Sequence, residues 1–112
     1  MGGGRLNTAS GEYAAVGGGW SNRAAADYAT IGGGGRSDAN EEGTANRVTD
    51  DHGTVGGGGN NQAGDDDGDT GSSPYATVGG GHYNAATGDS ATIAGGNTNA
   101  AGPFGSVGGG YS

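Results

Sequence analysis

Six glycine triplets, beginning at Gly2, Gly17, Gly32, Gly56, Gly79 and Gly108, constrain this chain more than any other feature. With the degenerate Ala94-Gly95-Gly96 placed between the last two, successive starts lie 15, 15, 24, 23, 15 and 14 residues apart. One β-branched residue precedes each of the later triplets: Val16, Ile31, Val55, Val78, Ile93 and Val107, with Met1 in that slot for the first. Two positions before these stands a small residue: Ala14, Ala29, Gly53, Ala76, Ala91 and Gly105. Asn7, Asn22, Ser37, Asn61, Asn84 and Asn99 follow the triplet starts by five residues. Ala9, Ala24, Ala39, Ala63, Ala86 and Ala101 follow them by seven. Columns held in register over the whole chain define a repeat of about 15 residues, and such units bury their apolar faces only against one another.

Each repeat contains two short alternating segments, small-x-[Val/Ile] and Asn-x-Ala. The middle positions are polar or small, as at Thr30, Thr54, Thr77, Thr92 and Ser106 in the first segment and Thr8, Arg23, Asp38 and Gln62 in the second. Period-2 alternation with β-branched residues reads as strand, and the triplet between the segments as a turn. Two strands and two turns in about 15 residues form one coil. The expected fold is therefore all-β, a parallel β-solenoid or β-roll of about seven coils in a single repeat domain spanning 1–112. Stacked at the ordinary strand spacing, these coils give a rod on the order of 33 Å long. The competing architecture is a bundle of polyglycine, polyproline-II-like strands built around the triplets.

Composition excludes several alternatives. Glycine supplies 31 of 112 residues, and the large aliphatics and Phe are only Leu6, Ile31, Ile93, five valines and Phe104. That set is too small for a conventional globular core. There is no Cys for a disulfide scaffold and no apolar run long enough for a membrane span. Four Arg against twelve acidic residues leave no basic footprint for nucleic acid. Catalysis finds no support either: no nucleophile stands at a recognisable spacing from a base, and a P-loop needs a Lys that the chain lacks.

The apolar spine falls to Val16, Ile31, Val55, Val78, Ile93 and Val107. The Asn column (Asn7, Asn22, Asn61, Asn84 and Asn99) admits two readings. Inward amides pair vertically as a ladder that breaks at Ser37, or Asn simply tolerates a left-handed turn.

The two long spacings correspond to acidic loop insertions at 40–52 and 64–74, expected in the same phase and so side by side. Glu41, Glu42, Asp50 and Asp51 against Arg47 give −3, and Asp65, Asp66, Asp67 and Asp69 give −4; together −7 of the chain's −8. Asp65, Asp67 and Asp69 alternate as in a calcium loop, and hard oxygen ligands suit Ca²⁺. Gly68 precedes the third Asp where an EF-hand loop needs Gly after it, so a solvated acidic turn without any cofactor competes with the calcium reading. Tyr13, Tyr28 and Tyr75 share an outward file with His52, Ser90 and Phe104, readable as an interface or as packing over the stacked turns. His52 and His82 sit in different phases, with no Cys or paired His to build a metal site.

The pattern A-x-[VI]-G-G-G-x-x-N-x-A resembles the YadA-like head repeats of trimeric autotransporter adhesins. Ala29-Thr30-Ile31-Gly32, Ala76-Thr77-Val78-Gly79 and Ala91-Thr92-Ile93 are similar to one strand of that repeat, and Asn22-Arg23-Ala24 and Asn61-Gln62-Ala63 to the other. The resemblance implies a left-handed parallel β-roll, often trimeric, displayed at the bacterial cell surface. The period here is longer, the family usually has one Gly where this chain has three, and no heptads of a neck or stalk are present. The expectation is a structural, non-enzymatic module of an extracellular fibre or surface adhesin that self-associates into a filament or trimer. Neither nucleic acid nor membrane insertion is expected, and a host-surface or matrix ligand is the partner beyond itself. The alternative is a receptor- or carbohydrate-binding tip domain, as in a phage tail fibre, acting through the acidic loops.

Overall fold

A computed structural model describes residues 2–36, 40 and 45–111. The described residues form twelve strands of two residues each, arranged as two six-stranded parallel sheets. One sheet runs β1 (Thr8–Ala9), β3 (Arg23–Ala24), β5 (Arg47–Val48), β7 (Gln62–Ala63), β9 (Ala85–Ala86) and β11 (Ala100–Ala101). The other runs β2 (Ala15–Val16), β4 (Thr30–Ile31), β6 (Thr54–Val55), β8 (Thr77–Val78), β10 (Thr92–Ile93) and β12 (Ser106–Val107). The chain alternates between the sheets at every strand, so this is a parallel β-solenoid. A third line of single parallel bridges, Arg5, Trp20, Gly35, Gly59, His82, Asn97 and Tyr111, closes each coil after its triplet. The stack measures 32 × 28 × 19 Å. Paired strands exclude the polyglycine bundle, whose strands carry no such ladders.

Each strand points one residue out and one in. The inward file of one sheet is Val16, Ile31, Val55, Val78 and Ile93, all 0–1% exposed, with Val107 partly buried at the end. Opposite lie Ala24, Val48, Ala63, Ala86 and Ala101, with Ala29, Ala76 and Ala91 between the files. One Val or Ile per coil contributes roughly 1.5–3 kcal/mol by burial, and small partners let the sheets close onto it.

Backbone hydrogen bonds run along the stack in one direction through the strands. In the coil after β8, the N–H groups of Ala85, Thr87, Thr92, Ala94 and Asn97 donate to the carbonyls of Asn99, Ala101, Gly105, Val107 and Gly110 in the following coil, at 2.7–2.9 Å. Corner residues in the left-handed region reverse that sense. Tyr13, Tyr28, His52, Tyr75, Ser90 and Phe104 have φ of 55–64°. Tyr28, His52 and Tyr75 accordingly donate N–H back to the carbonyls of Glu12, Asp27 and Asp51.

Asn22, Asn46, Asn61, Asn84 and Asn99 are buried, Asn7 at the first coil half-buried, and the file bonds mainly to backbone. Asn84 Nδ2 donates to the Gly80 and Gly96 carbonyls, both at 2.9 Å, and Asn84 Oδ1 accepts the Asn99 N–H at 3.0 Å. Asn7, Asn22 and Asn61 repeat that Nδ2 pattern. The left-handed residues are their predecessors Leu6, Ser21, Asn60, Tyr83 and Thr98, not the asparagines themselves.

The first insertion departs from the expected phase. Asn46 and Val48 occupy the ladder and inward positions that counting from Gly32 gives to Ser37 and Ala39, both of which lie outside the described residues. The expected loop at 40–52 therefore contains β5, and the insertion enters between Gly35 and Asn46 rather than after the Asn-x-Ala strand. The second insertion does leave after that strand, at Ala63, so the two are not in phase. The physical reason is pairing: Arg47 and Val48 lie in register with Gln62 and Ala63, 15 residues on. The ladder does change at this coil, since Asn22 Oδ1 is buried and accepts no hydrogen bond.

Candidate functional site

Among the described residues, a cluster of carboxylates and hydroxyls forms where the second insertion leaves β7. Stacking builds it. Thr49-Asp50 follows β5, and Gly64-Asp65 follows β7 one coil later, 15 residues on. Asp50 is 1% exposed. Its Oδ1 accepts from Thr49 Oγ1 at 3.0 Å and from the Asp65 N–H at 3.2 Å. Its Oδ2 accepts from the Ser73 N–H at 2.9 Å and lies 3.1 Å from Ser72 Oγ. The Asp66 N–H donates to Thr49 Oγ1 at 3.1 Å. A buried carboxylate is costly unless its oxygens are hydrogen-bonded, and here both are.

Beyond Asp65 the loop winds on its own aspartates. The Asp67, Asp69 and Gly71 N–H groups donate to Asp65, Asp67 and Asp69 Oδ1 at 3.2, 2.8 and 3.0 Å. Such i to i+2 side-chain turns are what Asp supplies in a loop of this composition. Ser72 Oγ sits among the ends: 3.1 Å from Asp67 Oδ1, 3.2 Å from each Asp65 oxygen and 2.9 Å from the Asp69 carbonyl. Ser73 Oγ donates to Asp65 Oδ2 at 2.9 Å. The Ser73 hydroxyl, ahead of the Asp67 N–H and the Ser72 hydroxyl, holds the Asp65 carboxyl below its ordinary pKa, with desolvation opposing.

Oxygens of Asp50, Asp65 and Asp67 lie within 4.8 Å of one another. The structure thus brings together Asp65 and Asp67 of the sequence-expected set but not Asp69, whose side chain turns to Gly71. Asp50 takes the third place. Its partnership with Asp65 was encoded in the 15-residue period, since both hold the same phase of successive coils. With the Ser72 hydroxyl and the Asp69 carbonyl, the set offers hard oxygen donors of the Ca²⁺ type, short of the roughly six to eight that Ca²⁺ takes unless water completes the shell. What the geometry performs by itself is to pin the second insertion to two consecutive coils.

Tyr13, Tyr28 and Tyr75 do share one corner file, with His52 between the last two. Ring centroids are 5.1 Å apart for Tyr13–Tyr28, 4.7 Å for Tyr28–His52 and 4.8 Å for His52–Tyr75, all stacked. Tyr13, Tyr28 and Tyr75 are 77, 50 and 57% exposed. The inner faces are spent on one another, and stacking leaves one face of each end ring, Tyr13 and Tyr75, without an aromatic partner. Left-handed corners, rather than strand alternation, aim this file outward.

Arg47 belongs to the same side as the acidic loop. Its Nε donates to Gln62 Oε1 at 3.0 Å and its Nη1 to Asn60 Oδ1 at 2.7 Å. Burial draws its guanidinium below the ordinary pKa, against the attraction of Asp66. No helix among the described residues is long and apolar enough to cross a membrane. No family model matches the chain, and neither a curated protein nor a solved structure matches it.

Proposed function

We propose that the chain is a structural, non-enzymatic module of an extracellular fibre or surface adhesin, associating with further copies as a filament or trimer. The observation that carries this reading is the direction of the hydrogen bonds. Each coil shows strand carbonyls toward the preceding coil and strand N–H groups toward the following one. A face of unpaired strand donors or acceptors is a template for another strand edge. Association of unlike, complementary faces extends rather than closes unless rotation brings it back on itself. The Asn file adds the same complementarity, Oδ1 on one side and N–H on the other. Kinship with the head repeats of trimeric autotransporter adhesins, and with it a left-handed winding and cell-surface display, belongs to the same proposal; it is supported by the Ala-Thr-[Val/Ile]-Gly and Asn-x-Ala segments.

Sedimentation velocity and negative-stain electron microscopy over a concentration series test it. Filaments or discrete trimers are expected to grow with concentration. A chain that stays a monodisperse monomer at the highest concentration overturns the proposal. Removing residues 64–74 separates it from the binding-tip alternative, because a structural module keeps assembling without that loop.

A further inference from the structure

All four arginines of this net-acidic chain lie in its first half, at Arg5, Arg23, Arg36 and Arg47. Two of them, Arg23 and Arg36, line a concave surface there. A cleft of about 310 Å³ is lined by Leu6, Thr8, Ser21, Arg23 and Arg36. Thr8 and Arg23 are the outward residues of neighbouring strands β1 and β3, in register. Leu6 and Ser21 are left-handed corner residues of successive coils, and the Ser21 N–H donates to the Arg5 carbonyl. Arg36 is held in place by Trp20: its guanidinium carbon stands 4.6 Å from the ring centroid. Ser21 Oγ is buried and has no hydrogen-bond partner.

We propose that this cleft binds an oxyanion, either a free sulfate or phosphate or the same group carried on an acidic saccharide. Arg23 and Arg36 supply planar, permanently charged donors suited to such oxygens. Ser21 supplies a hydroxyl whose hydrogen-bonding capacity is unused, a costly condition for a buried polar atom and one that a ligand oxygen relieves. Thr8 offers a second hydroxyl on the rim, and Leu6 gives an apolar wall against which a sugar ring can lie. Guanidinium stacking on Trp20 fixes Arg36 before the ligand arrives, which lowers the ordering cost of binding.

Trp20 is the chain's one tryptophan and therefore an intrinsic reporter of the cleft. Sodium sulfate, sodium phosphate and a sulfated oligosaccharide are titrated against the intact protein, with sodium chloride at matched ionic strength as reference. The expected result is a saturable change in Trp20 fluorescence and in the amide resonances of Ser21 and Arg23, absent with chloride. Arg23→Gln should weaken binding by about tenfold or more, and Ser21→Ala by a smaller factor. Arg23→Lys, which keeps the charge and loses the fork, should fall between wild type and Arg23→Gln. Saturation by the free ions assigns the site to the ion itself, and saturation by the oligosaccharide alone assigns it to the saccharide. A flat fluorescence signal with unmoved Ser21 and Arg23 amides overturns the proposal, as does Arg23→Gln titrating like wild type while retaining the β-type circular dichroism of the parent.

Discussion

Val48 and Gly53 share one volume. Val48 stands in an inward file otherwise made of alanines, and a Cβ added at Gly53 would lie 2.5 Å from Val48 Cγ1. Position 53 is the one place between Ala29 and Ala91 where that small-residue file gives up its methyl group. The extra bulk on one side of the coil is matched by its removal on the other, as expected of an interior packed at crystal density.

This pairing gives a double-mutant cycle. Gly53→Ala should cost about 1–3 kcal/mol by overpacking. Val48→Ala should cost about 2 kcal/mol through lost burial and a residual cavity. The double variant recreates the pattern of the neighbouring coils, so its loss should be smaller than the sum of the two. Urea unfolding of the four proteins measures the coupling, and additive losses would contradict the shared volume.

Adjacent glycines of one triplet should respond oppositely to the same substitution. Gly58 has φ +83° and a Cβ there meets the Gly81 carbonyl, whereas a Cβ at Gly57 meets nothing within 4 Å. Gly58→Ala should prevent stacking of that coil. Gly57→Ala should be neutral or gain about 0.4–1 kcal/mol by restricting the unfolded chain. Thermal melts of the two variants decide this, and equal losses would show that the positions are equivalent.

Asn61 links three consecutive coils, its own N–H and Nδ2 donating to Asn46 Oδ1 in the preceding one. Its Nδ2 donates to the Gly57 and Gly81 carbonyls and its Oδ1 accepts the Asn84 N–H. Asn61→Leu leaves these backbone groups without partners in a dry interior, at about 1–3 kcal/mol each. Amide exchange at Asn84 should accelerate in that variant beyond the change at Thr92. Unchanged exchange would remove the ladder from the stability of the rod.

Acid should loosen the second insertion. The Asp65 carboxyl titrates below its unfolded value because the Ser73 hydroxyl donates to it. A depressed folded-state pKa adds stability that is present above the unfolded value, near 4, and is lost as pH falls through the folded one. Exchange at the Asp67 amide, which donates to that carboxyl, should therefore rise below about pH 4. Ser73→Ala should move the Asp65 titration upward, which nuclear magnetic resonance of the carboxyl carbon reads directly.

The fold was legible because its spine is written once per coil: a Val or Ile between a small residue and a glycine triplet survives any loop that interrupts the period. The position of the first loop was not. Counting forward from Gly32 reaches Ser37 and Ala39, while counting back from Asn61 and Ala63 reaches Asn46 and Val48. Strand pairing selects the second count, because Asn46 can join the amide file and Val48 can point inward. The same omission hid Asp50, which lies one coil below Asp65 and so belongs to the site. Composition also gave no hint that Trp20 would seat Arg36, since the residue type changes from coil to coil at both positions.

The alignment of the strand hydrogen bonds along the stack has a mechanical side. Tension applied through the two ends of the chain loads the bonds between coils one after another rather than together, as a zipper is loaded and not as a sheared sheet. Each coil that yields releases about 15 residues, roughly 50 Å of extended chain, while those beyond it stay wound. Where an insertion is tied across two coils, as at Asp50 and Asp65, the next step should need a larger force. Such a rod would lengthen in graded increments under load and rewind from whatever part of it remained, behaving as a spring with a stop built into its middle.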